Sequence, residues 1–271
     1  MVARLIAAGH APRVYDLVPS AVERAVASGA TAADDVGAVA RDADVVLSSL
    51  PMPEDVESVY ARVAEAARPG LVCADLSTID PATARRVAAK LEAKEVRFLD
   101  APVSGGPRGV EAGTLAVMVG GDPTALEVVR PLLSAFSGGV FHIGPVGSGT
   151  VVKLANQLLA GANTIAAMEA VGFARRAGVA PETLLEVVSA STGDSRMLRR
   201  SIGEFVLSGD FSAQFALRLL VKDLRLYRAE AGALGAPVPS GQPTLDLYER
   251  ALERGLGGED FAAIIKLIEG D

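Results

Sequence analysis

The chain has no second cysteine, so no intrachain disulfide can form, and the lone Cys73 fits a reducing cytoplasm. Cys73 lies in the apolar run Leu71-Val72-Cys73-Ala74-Asp75 and reads as a small buried hydrophobe rather than a nucleophile. There are only two histidines, and neither His10 nor His142 has a partner at metal-ligand spacing, so no metal is expected. Positive charge is not in excess. A formal net charge of −7 argues against nucleic acid or an anionic membrane as the main partner, and leaves room for a local pocket for a small anion. No long apolar run is uninterrupted. The longest, residues 158–174, contains Asn163 and Glu169 and reads as a buried helix rather than a membrane span. Met1 opens directly onto an amphipathic helix pattern with no separate apolar core and cleavage site, so no signal peptide is read and a cytoplasmic location is expected. Internal repeats and low-complexity tracts are also missing.

What remains is a globular composition: 271 residues, 50% hydrophobic and 22% charged, long enough for two domains with their own cores. In the first half short β-rich runs alternate with helical patterns. Strands are expected at residues 13–16, 45–49, 71–75, 96–100, 115–120 and 140–143. Helices are expected between them at 21–28, 55–67 and 81–93. This alternation predicts βαβ units, a parallel sheet and a Rossmann-like α/β domain over residues 1–148. After Gly149 no convincing strand remains. Helices are expected at 150–177, 181–189, 195–207, 217–234 and 243–254, with one more near the C-terminus, giving an all-α domain over 149–271.

Ligands of open parallel sheets bind beyond the carboxyl ends of the strands, which directs attention to the polar residues there. Asp16 ends a strand. It reads either as a carboxylate for the adenosine ribose hydroxyls of a dinucleotide, which would repel a 2′-phosphate and favour NAD over NADP, or as a turn residue before Pro19. Ser104-Gly105-Gly106 reads either as a turn whose backbone N–H groups hold a carboxylate or as a plain Gly-Pro turn. Lys153 follows Gly147-Ser148-Gly149 at the start of a long helix, and Asn156 lies three residues on, on the same face. A lysine fixed near a helix N-terminus beside an amide can exchange a proton with a carbonyl oxygen. Lys222-Asp223, on an otherwise apolar helix, is either a solvated pair or a lysine reaching into a cleft.

Together, Val14-Tyr15-Asp16, Leu50-Pro51, Asp75-Leu76-Ser77-Thr78-Ile79-Asp80-Pro81, Asp100 to Gly106, Gly147 to Asn156 and Lys222-Asp223 resemble the β-hydroxyacid dehydrogenases, the family of 3-hydroxyisobutyrate dehydrogenase and tartronate semialdehyde reductase. The resemblance covers essentially the whole chain. It implies an NAD(P)-dependent oxidoreductase that interconverts a small β-hydroxy acid with its semialdehyde or keto form. By position, Lys153 resembles the family's catalytic lysine. Ser104, Gly105, Gly106 and Asn156 resemble its substrate contacts, and Asp16, Leu50, Pro51, Thr78 and Lys222 its cofactor contacts. Gln157, where several members have a second Asn, is similar to the tartronate semialdehyde reductase branch.

The departure is at the N-terminus. Family members open with a strand and a Gly-x-Gly-x-Met-Gly turn, whereas this chain opens inside the helix that should follow. The first strand and glycine-rich loop are therefore expected to be missing from the chain as written, and an active protein is expected to be longer. The implied mechanism has Lys153 donate a proton to the oxygen in reduction and accept it in oxidation, which asks for a pKa lowered from ~10.4. The expected ligands are NAD and a small carboxylate-bearing hydroxy acid or semialdehyde. The long helix from Thr150, apolar on more than one face, suggests a homodimer or homotetramer. Two rival readings are a binding or interaction protein that has lost the cofactor, and an imine reductase of similar architecture. Lys153 speaks against the second.

Overall fold

A computed structural model describes residues 1–270, which form two compact units that divide between Lys153 and Leu154. The first unit runs α1 (Val2–Ala7), β1 (Arg13–Val14), α2 (Pro19–Ala27), β2 (Thr31–Ala32), α3 (Val36–Ala40), β3 (Val45–Ser48), α4 (Pro53–Ala66), β4 (Val72–Asp75), α5 (Pro81–Glu92), β5 (Arg97–Asp100), β6 (Val103–Ser104), α6 (Gly106–Ala112), β7 (Leu115–Gly120), α7 (Pro123–Ser134) and β8 (Ser137–Gly144). Local chemistry starts these helices sharply. Pro81 and Pro123 occupy first-turn positions where their missing N–H costs nothing. Asp80 accepts from the Thr83 N–H, and Asp122 accepts from the Thr124 and Ala125 N–H groups.

β3, β4 and β5 are parallel neighbours, as alternation requires. The sheet then departs from the all-parallel expectation. β5 and β6 lie in succession along one edge of β7 and run antiparallel to it, with Asp100 opposite Gly120 and Val103 opposite Val117, and β8 adds parallel to β7. The sheet is mixed because α6 is only seven residues long and returns the chain as a reversal rather than a crossover.

Strand side chains alternate between two cores. Val72, Ala74 and Leu99 pack with Val117, Leu126, Val129 and Leu133 on one face. Cys73 and Phe98 pack with Val56, Tyr60, Val87 and Leu91 on the other. Tyr60 meets Phe98 edge to face at 5.1 Å. Each of the fully buried leucines contributes about 1.5–3 kcal/mol of transfer free energy.

β1 and β2 form a separate two-stranded parallel ladder. Between β1 and the free edge of β3 lies a cleft of about 600 Å³, lined by Leu5, Arg13, Val14, Val45, Leu47 and Leu132 among others. The Asp44 and Ser48 carbonyls accept from β4 and its end, so the intervening Val45 and Leu47 turn their backbone groups the other way, into the cleft.

The second unit begins within α8 (Ser148–Arg176) and continues through α9 (Pro181–Ser189), α10 (Arg196–Arg200), α11 (Leu217–Ala233), α12 (Gly241–Glu253) and α13 (Ile264–Glu269). The helix expected over 195–207 is interrupted: Ser201–Val206 forms a π-helical turn after α10. The described residues of this unit contain no strand, only an isolated bridge between Ala216 and Asp260. Among the described residues no helix is long and apolar enough to cross a membrane.

Candidate active site

At the carboxyl ends of β3 and β4 the first unit holds a buried polar network. Asp75, 1% exposed, accepts at Oδ1 from Ser48 Oγ (2.7 Å), Ser77 Oγ (2.6 Å) and the Ser77 N–H (3.3 Å). Ser48 Oγ gives its proton to Asp75, so the Tyr60 hydroxyl, 2.7 Å away, is the donor to Ser48. Ser77 Oγ in turn accepts the Leu50 N–H at 2.8 Å. The network therefore joins two segments expected at the cofactor edge, Leu50-Pro51 and Ser77-Thr78. Burial pushes the Asp75 carboxyl up to about 6, against the hydrogen bonds from Ser77 and Ser48. Burial likewise raises the Tyr60 hydroxyl well above its ordinary value. Pro51 and Met52 are exposed beside this network, ahead of α4.

Asp16 is exposed just past β1, where its Oδ1 accepts the Val18 N–H at 2.8 Å. The turn role is thus present, and the exposed carboxylate remains available to a ligand. The ends of β1, β3 and β4 thus offer a carboxylate, an apolar loop and a hydroxyl-bearing turn. This donor set fits the ribose and nicotinamide ends of a dinucleotide.

Ser104 is the last residue of β6, paired with Ala116. Gly105 (φ 135°) and Gly106 (φ 63°) both occupy backbone conformations that L side chains rarely adopt, and a Cβ on Gly105 would lie 2.8 Å from Leu115 Cδ2. The turn requires both glycines. Lys153 is 5% exposed, in the second turn of α8. The start of that helix is held by Asp100. Its Oδ1 accepts the Gly147 N–H at 2.7 Å and its Oδ2 the Thr150 N–H at 2.8 Å.

In the second unit Asn156 Nδ2 donates to Gln157 Oε1 (3.1 Å), Gln157 Nε2 donates to Asp223 Oδ2 (2.7 Å), and Lys222 Nζ lies 2.7 Å from Asp223 Oδ1. Asp223 is 1% exposed and the Lys222 side chain 14%, so the solvated-pair reading fails: this is a buried ion pair. Adjacent helix positions do not face each other, and only the length of the lysine lets it curl back to its neighbour.

The structure thus brings together Leu50 with the Ser77-Thr78 turn, and Asn156 with Lys222 through Gln157 and Asp223. Asp75 and Asp100 are functional candidates to which the sequence alone assigns no role, and Asp223 is one that it offers only as a solvated partner of Lys222. The available signal was an acid closing or interrupting an otherwise apolar segment, as in Ala74-Asp75, Leu99-Asp100 and Val221-Lys222-Asp223.

Residues 1–144 match the family model of the NAD binding domain of 6-phosphogluconate dehydrogenase. Residues 147–268 match that of the NAD-binding region of NADP-dependent 3-hydroxyisobutyrate dehydrogenase. The chain belongs to the β-hydroxyacid dehydrogenase family. It is 36% identical to 2-(hydroxymethyl)glutarate dehydrogenase of Eubacterium barkeri, over 99% of this chain and 90% of that one. It is 37% identical to the NAD-dependent L-serine dehydrogenase of Pseudomonas aeruginosa, over 99% and 93%. The solved 3-hydroxyisobutyrate dehydrogenase of Mycobacterium tuberculosis with L-serine superposes with a TM-score of 0.91 at 34% identity, over 98% of this chain and 94% of that one. A Streptomyces aurantiacus imine reductase, at 19% identity and a TM-score of 0.67, shares the fold alone. The chain is accordingly a nicotinamide-dependent oxidoreductase of hydroxy acids, with a Rossmann-like domain followed by a helical one.

Proposed function

We propose that the protein oxidises a small β-hydroxy acid, of the size of 3-hydroxyisobutyrate or serine, to its semialdehyde with NAD, and that Lys153 moves the proton. The observation that carries this reading is a lysine only 5% exposed, on a helix whose start is fixed by two hydrogen bonds to one buried carboxylate. NAD, when bound, supplies the hydride acceptor. Unprotonated Lys153 Nζ accepts the hydroxyl proton as the carbinol carbon is oxidised. In reverse, the ammonium donates to the oxygen as it becomes an alkoxide. The Ser104-Gly105-Gly106 turn holds the substrate carboxylate through backbone N–H groups, and the Asn156 amide orients the substrate. Asp16 takes the ribose hydroxyls and disfavours a 2′-phosphate, which is the ground for NAD over NADP. Leu50, Pro51, Thr78 and Lys222 complete the cofactor contacts. In this reading residues 1–148 form the cofactor-binding domain, which also lends the Ser104-Gly105-Gly106 turn to the substrate, and residues 149–271 form the substrate and oligomerisation domain, which lends Lys222 to the cofactor.

Leu159 and Phe173 on α8 are 59% and 78% exposed, which supports a homodimer or homotetramer; sedimentation measures it.

The test is Lys153→Ala, assayed with NAD and NADP on short β-hydroxy acids and on cyclic imines. Turnover of the hydroxy acids should vanish while NAD still binds, and imines should not be reduced by either protein. Near-wild-type oxidation by the variant would overturn the role of Lys153.

A further inference from the structure

We propose that Asp100 is a positioning residue that fixes Lys153 relative to the Ser104-Gly105-Gly106 turn, an inference that rests on the reading of Lys153 as the proton carrier. Asp100 closes β5 and is 1% exposed. Its two carboxylate oxygens do separate work. One accepts from Gly147, just before α8, and the other from Thr150 in its first turn. Those N–H groups have no partner within the helix, and a negative charge at that end is favourable to the helix dipole. Lys153 lies three residues beyond Thr150, so its side chain leaves the helix nearly above the clamp. In the other direction along the chain, Asp100 stands four residues before Ser104. One buried side chain thus links the segment that would hold the substrate carboxylate to the segment that would hold the base.

Steric contacts reinforce the clamp. A Cβ on Gly149 would lie 2.2 Å from the Met118 carbonyl oxygen, 2.9 Å from that of Asp100 and 3.0 Å from the Gly120 nitrogen, so the first turn of α8 rests directly on backbone. A Cβ on Gly120 would lie 2.4 Å from Asp100 Oδ1. Both glycines are needed for the carboxylate to reach two amides at once. Burial raises the Asp100 carboxyl, and the Gly147 and Thr150 N–H groups pull it back, as they must if it is to act as an anion.

Asp100→Asn tests this at constant shape. An amide offers one acceptor where two are used and sets an NH₂ group against the other N–H. Exchange of the Gly147 or Thr150 amide hydrogen should speed up by about tenfold or more, and Asp100→Ala should release both, while the amides of β4 and β7 keep their protection. In steady-state oxidation of the hydroxy acid, kcat of Asp100→Asn should fall by about tenfold or more with KM for NAD within about twofold. Three results would overturn the proposal: unchanged exchange at both amides, exchange raised uniformly through β4 and β7, or a normal kcat with the helix start loosened. The exchange measurement needs no turnover. Lys153→Ala run beside it separates the two ideas, because normal turnover there rejects the lysine's role whatever the Asp100 variants do.

Discussion

Ser48 Oγ donates to Asp75 Oδ1 at 2.7 Å and so ties the carboxyl ends of two neighbouring strands through a carboxylate that burial has pushed up to about 6. A folded-state value above the ordinary one means that the native protein holds this proton more tightly than the unfolded chain. The contribution to stability is full below about pH 4, declines as pH rises to about 6, and is lost above that. About two units correspond to ~3 kcal/mol. Asp75→Asn removes the titration. The stability of the variant minus that of the wild type should therefore grow by ~3 kcal/mol between about pH 4 and pH 7 in urea melts. A difference that stays flat with pH rejects the assignment.

Gly149→Ala sets two rules against each other. Intrinsic helix propensity favours alanine by ~1 kcal/mol. The added Cβ, however, would lie 2.2 Å from the Met118 carbonyl oxygen, on backbone that cannot rotate away. Sterics should win, with a loss of ~4 kcal/mol or more, read as a fall in melting temperature of roughly 10 °C. A melting temperature at or above wild type would show that the first turn of α8 can move.

Asp260 is fully buried. It receives both Arg200 Nη atoms at 3.1 and 2.7 Å and the N–H groups of Gln214, Phe215 and Ala262. The guanidinium carbon lies 4.6 and 4.7 Å from the ring centres of Phe205 and Phe261. Asp260→Asn leaves that cation without its counter-charge and should cost ~3–5 kcal/mol in chemical denaturation. Adding Arg200→Met should restore part of the loss, since a hydrophobe can fill the space between the two rings. If the double variant is no better than the single one, the N–H groups carry the effect and the ion pair does not.

Cys73 is completely buried, and desolvation followed by the neighbouring Asp75 charge pushes its thiol up to about 12. A thiol-reactive dye should therefore label the native protein no faster than it unfolds and label it at once in denaturant. Fast native labelling would contradict the packing of β4.

Elements with a strong local signature were legible in the sequence. β7 at 115–120 and α9 at 181–189 were read at their observed bounds, because an apolar run or a 3.6-residue period between turn residues is visible without tertiary context. The direction of β7 was not legible, since alternation carries no sign, and neither was α6, whose Gly105-Gly106-Pro107 start reads as a turn. α7 is absent from the helices expected above, although Asp122-Pro123, a cap followed by a first-turn proline, marks its start in the sequence. In the candidate site Lys153, Ser104 and Asp16 stood out by residue type and position. The roles of Asp75 and Asp100 did not, because what each does depends on partners that only folding brings close, 27 residues away for Ser48 and 47 and 50 for Gly147 and Thr150.

The separation of the β1–β2 ladder from the main sheet has an energetic consequence. Of the hydrophobic residues before Val36, only Leu5 and Ala30 are buried, and α2 buries none. Apart from Leu5, which packs with Val72 and Leu99, and Arg4, which donates to the Ala135 carbonyl, this stretch draws little cohesion from the core, so its loops stand at the low end of the protein's local unfolding free energies. A protease at low dose should trim it first and leave a resistant fragment beginning near α3. Asp16 lies on this loosely held margin, so a ligand that engages it must spend part of its binding energy on ordering it, and affinity measured there should fall steeply on warming.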